Sequence, residues 1–346
     1  MNIISGSVGI SKYYGCVSPV YYMLYPRYYE EADPNYYCYM FQTKAFQRSL
    51  LGLGNGILIK ESANGNFNTV RMRIPMEKLG VQLLPTPPLD EQKAIADFLD
   101  KQCAEIDSVI EQTKATIEEY KALKQSVITE AVTKGIRGDR PMKDSGIEWI
   151  GEIPSEWIVR KGKWILSIFD KPIKEDDGVI TCFRDGEVTL RSNRREEGFT
   201  FAIQEIGYQG VDVGDLVVHG MDGFAGAIGI SDSRGKASPV LNVMDSTENK
   251  RYIMYYLRNM AYNGIFIALA TGIRVRSCDT NWNKLKELPY ILPSKEEQEE
   301  IVTYIDKRCS EIYTIIAKKN ALLEEMEALK KSTIFEYVTG KKKVLS

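Results

Sequence analysis

A chain of 346 residues with 44% hydrophobic and 27% charged residues has apolar mass for about two or three ordinary domains, which excludes disordered and small-scaffold classes. Its 45 Lys and Arg are offset by 47 Asp and Glu, a net charge of -2, so any nucleic-acid contact has to come from a local basic face. One histidine, His219, and six cysteines without a C-x-x-C pair are too few for an ordinary zinc site and point to a reduced, cytoplasmic protein; no apolar run reaches the roughly 18 residues of a membrane span, and the start is unlike a signal peptide.

Residues 1–83 form a small tyrosine-rich globular part in which NYYCYMFQTKAFQRSLLGLG supplies the helical segment. The tyrosines between Tyr13 and Tyr39 read as core and edge-strand residues, and Asp33-Pro34-Asn35-Tyr36 as a turn before a helix. A long helix is expected over 84–135: Pro88 precedes Asp90 and Glu91, whose carboxylates suit the positive end of the helix dipole, and Gly135 marks its end. A linker, 136–149, leads to a second globular part, 150–293. Its short alternating stretches DGVITCF, VGDLVVHG and FAGAIGIS argue strands and turns, with a helix at RYIMYYLRNMAYNGIF. Residues 294–340 are a second long helix, from beyond Pro293 to Gly340, and 341–346 a basic tail. The class is α+β: two mixed, β-rich domains, each followed by a long helix.

The chain repeats itself. Shifted by 206 positions, residues 91–133 match residues 297–339 at 20 of 43 positions, including Glu91/Glu297, Gln92/Gln298, Asp100/Asp306 and Cys103/Cys309. Weaker matches extend into the globular parts: SGSVGIS from Ser5 matches AGAIGIS from Ala225, and Ser18-Pro19-Val20 matches Ser238-Pro239-Val240. A period this long means two large modules rather than a solenoid. By that alignment Met1 stands opposite Met221, and nothing matches the stretch from about Gly151 to Gly220. The first globular part is therefore expected to lack its front half, which would leave strand edges and core unpaired.

Both helices carry a heptad stripe, the pattern of a coiled-coil seam. On the first it reads Ile95, Leu99, Gln102, Ile106, Val109, Thr113, Thr116, Tyr120, Leu123 and Val127, widened by Cys103, Ile110 and Ile117. On the second it reads Ile301, Ile305, Arg308, Ile312, Ile315, Lys319, Leu322, Met326 and Leu329. Matched seams predict that the helices pack on each other. At 1.5 Å per residue, about 40 residues span roughly 60 Å, approaching two turns of B-DNA.

Catalytic motifs are missing. There is no G-x-x-x-x-G-K-[ST] string; GLGNG at Gly52 has Ile57 where a third dinucleotide-loop glycine would stand; and no serine or cysteine elbow accompanies His219. The candidate chemistry is DNA contact. Arg184, Arg191, Asn193, Arg194 and Arg195 lie in CFRDGEVTLRSNRREEG, Arg234 and Lys236 in SDSRGKAS, and Arg274 and Arg276 in TGIRVRS. These are loops whose arginines can fork onto guanine or phosphate and whose asparagine can pair with adenine. His219 is a further DNA-facing candidate, and Arg71, Arg73 and Lys12 are the first part's candidate contacts. The bland alternative is that Arg194 and Arg195 merely offset Glu196 and Glu197.

The helix openings LPTPPLDEQKAIADFLDKQCAEIDSVI and LPSKEEQEEIVTYIDKRCSEI, with KDSGIEWIGEIPSEWIVRKGKWI and the VGDLVVHG…GAIG pattern, resemble the specificity subunits of type I restriction-modification systems over nearly the whole chain. The resemblance implies two target recognition domains, each reading half of a split DNA site, and long helices paired as an antiparallel coiled coil. It implies that modification subunits supply adenine methylation from S-adenosylmethionine and restriction subunits ATP- and magnesium-dependent cleavage, with no cofactor on this chain. The departure is the shortened first domain, which implies a truncated or stored allele needing complementation. A coiled-coil scaffold without a DNA role and a catalytic DNA enzyme are the rival readings.

Overall fold

The computed structural model describes residues 7–56, 60–61, 67–68, 72–194, 206–268 and 280–344. Along the chain come α1 (Pro34–Gln42), α2 (Lys44–Ser49), β1 (Asn55–Gly56), β2 (Lys60–Glu61), β3 (Phe67–Asn68), β4 (Met72–Arg73), α3 (Met76–Leu79) and the long α4 (Leu89–Lys134). Then follow β5 (Met142–Asp144), β6 (Glu152–Pro154), β7 (Ile158–Lys161), β8 (Leu166–Ile168), β9 (Ile180–Cys182), β10 (Val188–Leu190), α5 (Arg191–Arg194) and β11 (Gln209–Val211). After them stand β12 (Leu216–His219), β13 (Ile228–Ile230), β14 (Gly235–Ala237), β15 (Leu241–Ser246), α6 (Lys250–Tyr262), α7 (Ile265–Ala268), α8 (Trp282–Leu285), β16 (Pro289–Leu292) and the long α9 (Lys295–Val338). No helix among the described residues is long and apolar enough to cross a membrane. The class is α+β, as the periodicities predict.

The chain divides into two compact units, residues 1–117 with 317–346 and residues 118–316. The sequence reading treated the long helices as spacers separate from the globular parts; here each globular part shares a unit with one end of both helices.

In the first unit Asp33 caps α1 by accepting from the Tyr36 amide at 2.9 Å, with Pro34 in the first turn. The core packs Tyr36 and Met40 against Ile95, Ala96, Leu99 and Cys103 at the start of α4 and Ile334 and Val338 at the end of α9. Phe98 and Tyr337 stack 4.4 Å apart, and Lys330 pairs with Asp107 at 2.7 Å. The first turns of one long helix thus meet the last turns of the other, so the pair is antiparallel.

In the second unit the relation is mirrored. Ile128, Ala131 and Val132 near the end of α4 share a core with Ile301, Val302, Ile305 and Cys309 at the start of α9 and with the buried face of α6. A four-stranded antiparallel sheet of order β13-β12-β15-β8 lies against α6, with β12 buried through Val218. The hairpin β9-β10 and the pairs β11-β14, β5-β6 and β16-β7 complete it. The stretches read as strands fall in β9, β12 and β13, and the expected helix falls in α6 and α7.

The repeat survives to single hydrogen bonds. Tyr36 Oη donates to Val338 O at 2.9 Å and Pro85 O at 3.4 Å; Tyr252 Oη donates to Val132 O at 3.3 Å and Ile291 O at 2.9 Å. Tyr39 and Tyr255 each donate to the next helix's aspartate, Asp100 and Asp306, at 2.6 Å. Gln92 accepts from the Asp33 amide and donates to Pro87 O; Gln298 accepts from the Asn249 amide and donates to Pro293 O. Each set lies within one unit.

Two expectations need correction. Val109, Leu123 and Leu329 are 40%, 43% and 47% exposed. On α4 the buried stripe is Leu99, Cys103, Ile106, Ile110, Thr113 and Ile117, so the widening residues Cys103, Ile110 and Ile117 join the predicted Leu99, Ile106 and Thr113 in it while Val109 drops out. Both stripes have heptad spacing, and the one with the larger buried side chains wins the contact. Second, Tyr13, Tyr14, Tyr25 and Tyr29 are exposed rather than core, and residues 7–11 form no strand although their copy is β13. β13 exists by pairing with β12, and among the described residues no strand pairs with 7–11; an isolated strand does not offset its ordering entropy.

Glu297, 2% exposed, accepts from Arg140 at 2.6 Å and from Trp157 Nε1 at 3.1 Å, tying the start of α9 to the segment that leaves α4. Gly135 turns that segment at φ +76, and a Cβ there would crowd Trp157. We expect Glu297→Ala to lower stability in urea unfolding by about 2 kcal/mol by removing the buried acceptor of Arg140 and Trp157 and leaving Arg140 only Glu156 and the Lys134 carbonyl, whereas Glu91→Ala, at the exposed equivalent, shifts it by less than about 0.5 kcal/mol. Equal losses would remove the contrast between the units.

A charged network joins β11 and β14 to the loop before β9: Arg234 binds Asp177 and Asp212, and Lys171 binds Asp212 and Asp215. The Arg234 guanidinium foremost, with Lys171, holds the Asp212 carboxyl down at about 2, and Arg234 also lowers Asp177. Carboxyls below their unfolded value of about 3.9 stabilise the fold above that pH, and the contribution disappears as pH falls through their folded values. Acid titration of thermal stability should therefore show a loss below about pH 4 that Asp212→Asn reduces; an unchanged acid limb would reject the assignment.

Candidate nucleic-acid interface

The second unit gathers polar loops around the β9-β10 hairpin. Its turn closes through Gly186, at φ +89, where the Arg258 guanidinium of α6 occupies the space a Cβ would need. Arg258 donates to Asp185 O at 2.5 Å and its Nε is buried without a partner. Arg194, at the end of α5, reaches back to Asp185 at 2.6 Å and Glu187 at 3.1 Å and lies 4.1 Å from the centre of the Phe183 ring. The hairpin tip is thus fixed from two sides, and its acidic residues absorb much of the arginine charge.

Arg184 projects from this tip with its side chain 61% exposed, paired with Asp222 at 2.9 Å. Asp222 belongs to the loop after β12, where His219 Nδ1 accepts from the Met221 and Asp222 amides at 3.2 and 3.0 Å. Those bonds leave Nε2 to carry the proton of the neutral ring. Burial pushes the His219 pKa below its ordinary value, with the Arg184 charge acting in the same direction and Asp222 against it. The Thr280 hydroxyl donates to His219 O at 2.7 Å, closing the loop from behind. Arg184 and His219 are therefore joined through Asp222 on one edge.

The other predicted cations divide. Arg191 is half-buried with Nε 3.5 Å from the Thr181 hydroxyl, and Asn193 is exposed and donates to Thr189 at 2.9 Å. Arg234 sits at the opposite end of the hairpin, inside a network of two cations and three carboxylates, and Lys236 lies beside it in β14. Lys12 is exposed in the first unit. Arg195, Arg274, Arg276 and Arg71 lie outside the described residues, as does the side chain of Arg73.

Sequence reasoning missed Arg258 and Asp222. Arg258 stands four residues before Tyr262 on α6, and its guanidinium donates to the Tyr262 hydroxyl, a cue only that it lies along the helix. Its reach to the hairpin tip, 73 positions away in sequence, is a tertiary fact. Among the described residues no group of three His, Cys, Asp or Glu converges to hold a metal, and Cys16, Cys38, Cys103, Cys182 and Cys309 are unpaired.

No protein-family model matches the chain. It is 21% identical over 320 residues to the type I restriction enzyme StySPI specificity subunit of Salmonella potsdam, covering 89% of this chain and 65% of that protein. It is 35% identical over 85 residues to the type I restriction enzyme MjaVIII specificity subunit of Methanocaldococcus jannaschii, covering 25% and 18%. Among solved structures, a chain from work on complex assembly and conformational transition of the type I R-M system matches with a TM-score of 0.62 at 14% identity, over 89% of this chain and 72% of its own, which shows a common fold. The HsdS subunit of Thermoanaerobacter tengcongensis matches with a TM-score of 0.49 at 14% identity, over 90% and 72%. The chain thus spans 65% of the length of its Salmonella relative, and by sequence it is a homologue of the type I restriction enzyme specificity subunits.

Proposed function

We propose that this chain is the DNA-reading subunit of a type I restriction-modification complex, without catalysis of its own, directing adenine methylation and restriction by partner subunits to a two-part DNA site. The observation that carries the reading, beside the homology, is the duplicated bonding of Tyr36 and Tyr252: two pseudo-equivalent units suit two half-sites and two copies of a partner. Modification subunits dock on the long helices, restriction subunits join them, and S-adenosylmethionine, ATP and magnesium belong to those partners in the cytoplasm.

In the second unit Arg184 is the best-placed cation, exposed and held by one partly exposed aspartate that a phosphate can replace. Arg194 and Arg234 act instead as supports, because their donors are engaged by carboxylates. Arg195, Arg274 and Arg276, outside the described residues, are proposed as further DNA contacts on the sequence alone.

The test is co-purification with the cognate modification subunit and mapping of methylated adenines in DNA exposed to the complex. A split, two-part methylated motif is the expected result; assembly of the complex with no sequence-specific methylation would overturn the reading of DNA by this chain. Failure to associate with either DNA or the modification subunit would overturn the proposal as a whole. Arg184→Ala is expected to weaken DNA binding and lower the salt dependence by about one ion; an unchanged slope would remove Arg184 from the interface.

A further inference from the structure

In the second unit Arg140, Arg194, Arg234 and Arg251 are each met by at least one carboxylate. One surface of that unit departs from this. Residues 158–164 and 282–287 hold Arg160, Lys161, Lys163, Lys284 and Lys286 against a single acid, Glu287. Glu287 Oε2 accepts from Lys161 at 2.9 Å and Oε1 from Lys163 at 3.5 Å, so one carboxylate serves two ammonium groups. Lys286 donates to the Asn283 side-chain oxygen at 2.9 Å, and among the described residues no ion pair engages Lys286, Lys284 or Arg160. Gathered like charges repel, and a polyanion relieves that repulsion while releasing its own condensed cations.

The backbone holds the two basic segments together. Gly162 N donates to Leu288 O at 3.0 Å and Lys163 N to Lys286 O at 2.7 Å, continuing the pairing of β7 with β16. A Cβ on residue 162 would collide with Leu285 O, so this close approach needs glycine. Lys161 and Lys163 are exposed, and Lys284 and Lys286 are half-buried. Trp164 is 71% exposed, with Lys163 Nζ 5.9 Å from its ring centre, a large aromatic of the kind that marks contact surfaces. The ridge starts beside the candidate interface: Thr280 N donates to Gly220 O at 2.9 Å, and its hydroxyl donates to His219 O. Lys284 follows four residues later, at most about 14 Å from Thr280 by chain reach alone.

We infer that Lys161, Lys163, Lys284 and Lys286 form a phosphate-binding ridge that takes the DNA backbone beside the half-site met by the Arg184 edge. Lysines act on phosphates as point charges and carry no base information, so the ridge adds affinity without altering the motif. Glu287 is the internal counter-ion that the phosphates displace. The inference rests on the reading that this chain binds DNA and adds residues to its surface.

The test titrates the complex of the full chain and its modification subunit with a DNA duplex of about 40 base pairs over a series of salt concentrations. Lys163→Gln combined with Lys286→Gln is expected to lower the salt dependence by about two ions, to weaken binding about tenfold near 0.1 M salt, and to leave the methylated motif as it was. Arginine at the same two positions keeps the salt dependence. Glu287→Gln is expected to tighten binding several-fold, the opposite of what losing a merely structural ion pair would do. An unchanged salt slope in the double variant, looser binding after Glu287→Gln, or an altered methylated motif would each overturn the ridge. So would loss of the modification subunit from the double variant with DNA binding by the free chain intact, which would assign the patch to an acidic protein partner. No duplex binding by the unsubstituted complex would remove the ridge together with the DNA reading, whereas a slope that responds to Arg184→Ala and not to the lysines would remove the ridge alone.

Discussion

A buried tyrosine hydroxyl that has to find acceptors sets the arrangement of this protein. Tyr252 is fully buried, and its hydroxyl is satisfied by one carbonyl on the strand entering one long helix and another near the end of the other. Tyr36 repeats the arrangement. Since an unpaired buried hydroxyl costs about 1–3 kcal/mol, the geometry that satisfies it is strongly preferred over a parallel or shifted pairing. Heptad seams alone do not choose between parallel and antiparallel; these polar bridges do, once in each unit.

Around that constraint the second unit builds a rigid platform. Its charged side chains are spent mainly on each other: Arg258, Arg194 and Asp185 lock the hairpin turn, and the network about Arg234 locks the far end. Such locking suits the proposed DNA contact, because contacts to base edges demand placement within a few tenths of an ångström and a floppy tip loses entropy on binding. Arg184 stands apart as a loop cation that is exposed beside a single aspartate.

The first unit makes the opposite case. With the same helix ends, a capping Asp33 where the second unit has Asn249, and the same glutamine under the helix start, it holds a small core but exposes Tyr13, Tyr14, Tyr25 and Tyr29. The elements that need only local or helix contacts formed; the segment copied from β13 did not become a strand. Strand formation depends on a partner strand, and helix formation does not.

By itself the sequence determined the duplication, the two long helices, their capping and the general α+β class, because helix periodicity and caps are local signals that a 43-residue repeat doubles. It also located β9, β12, β13 and α6 through alternation and turn residues. Which of two heptad stripes is buried was decided only in three dimensions, since Ile106, Ile110 and Val109 differ little in composition but Val109 faces away from the core. The same holds for the cations. Arg184 and Arg234 look alike in sequence, yet one stands exposed beside a single aspartate and the other is clamped by two, because the carboxylates that neutralise an arginine arrive from strands and loops far off along the chain.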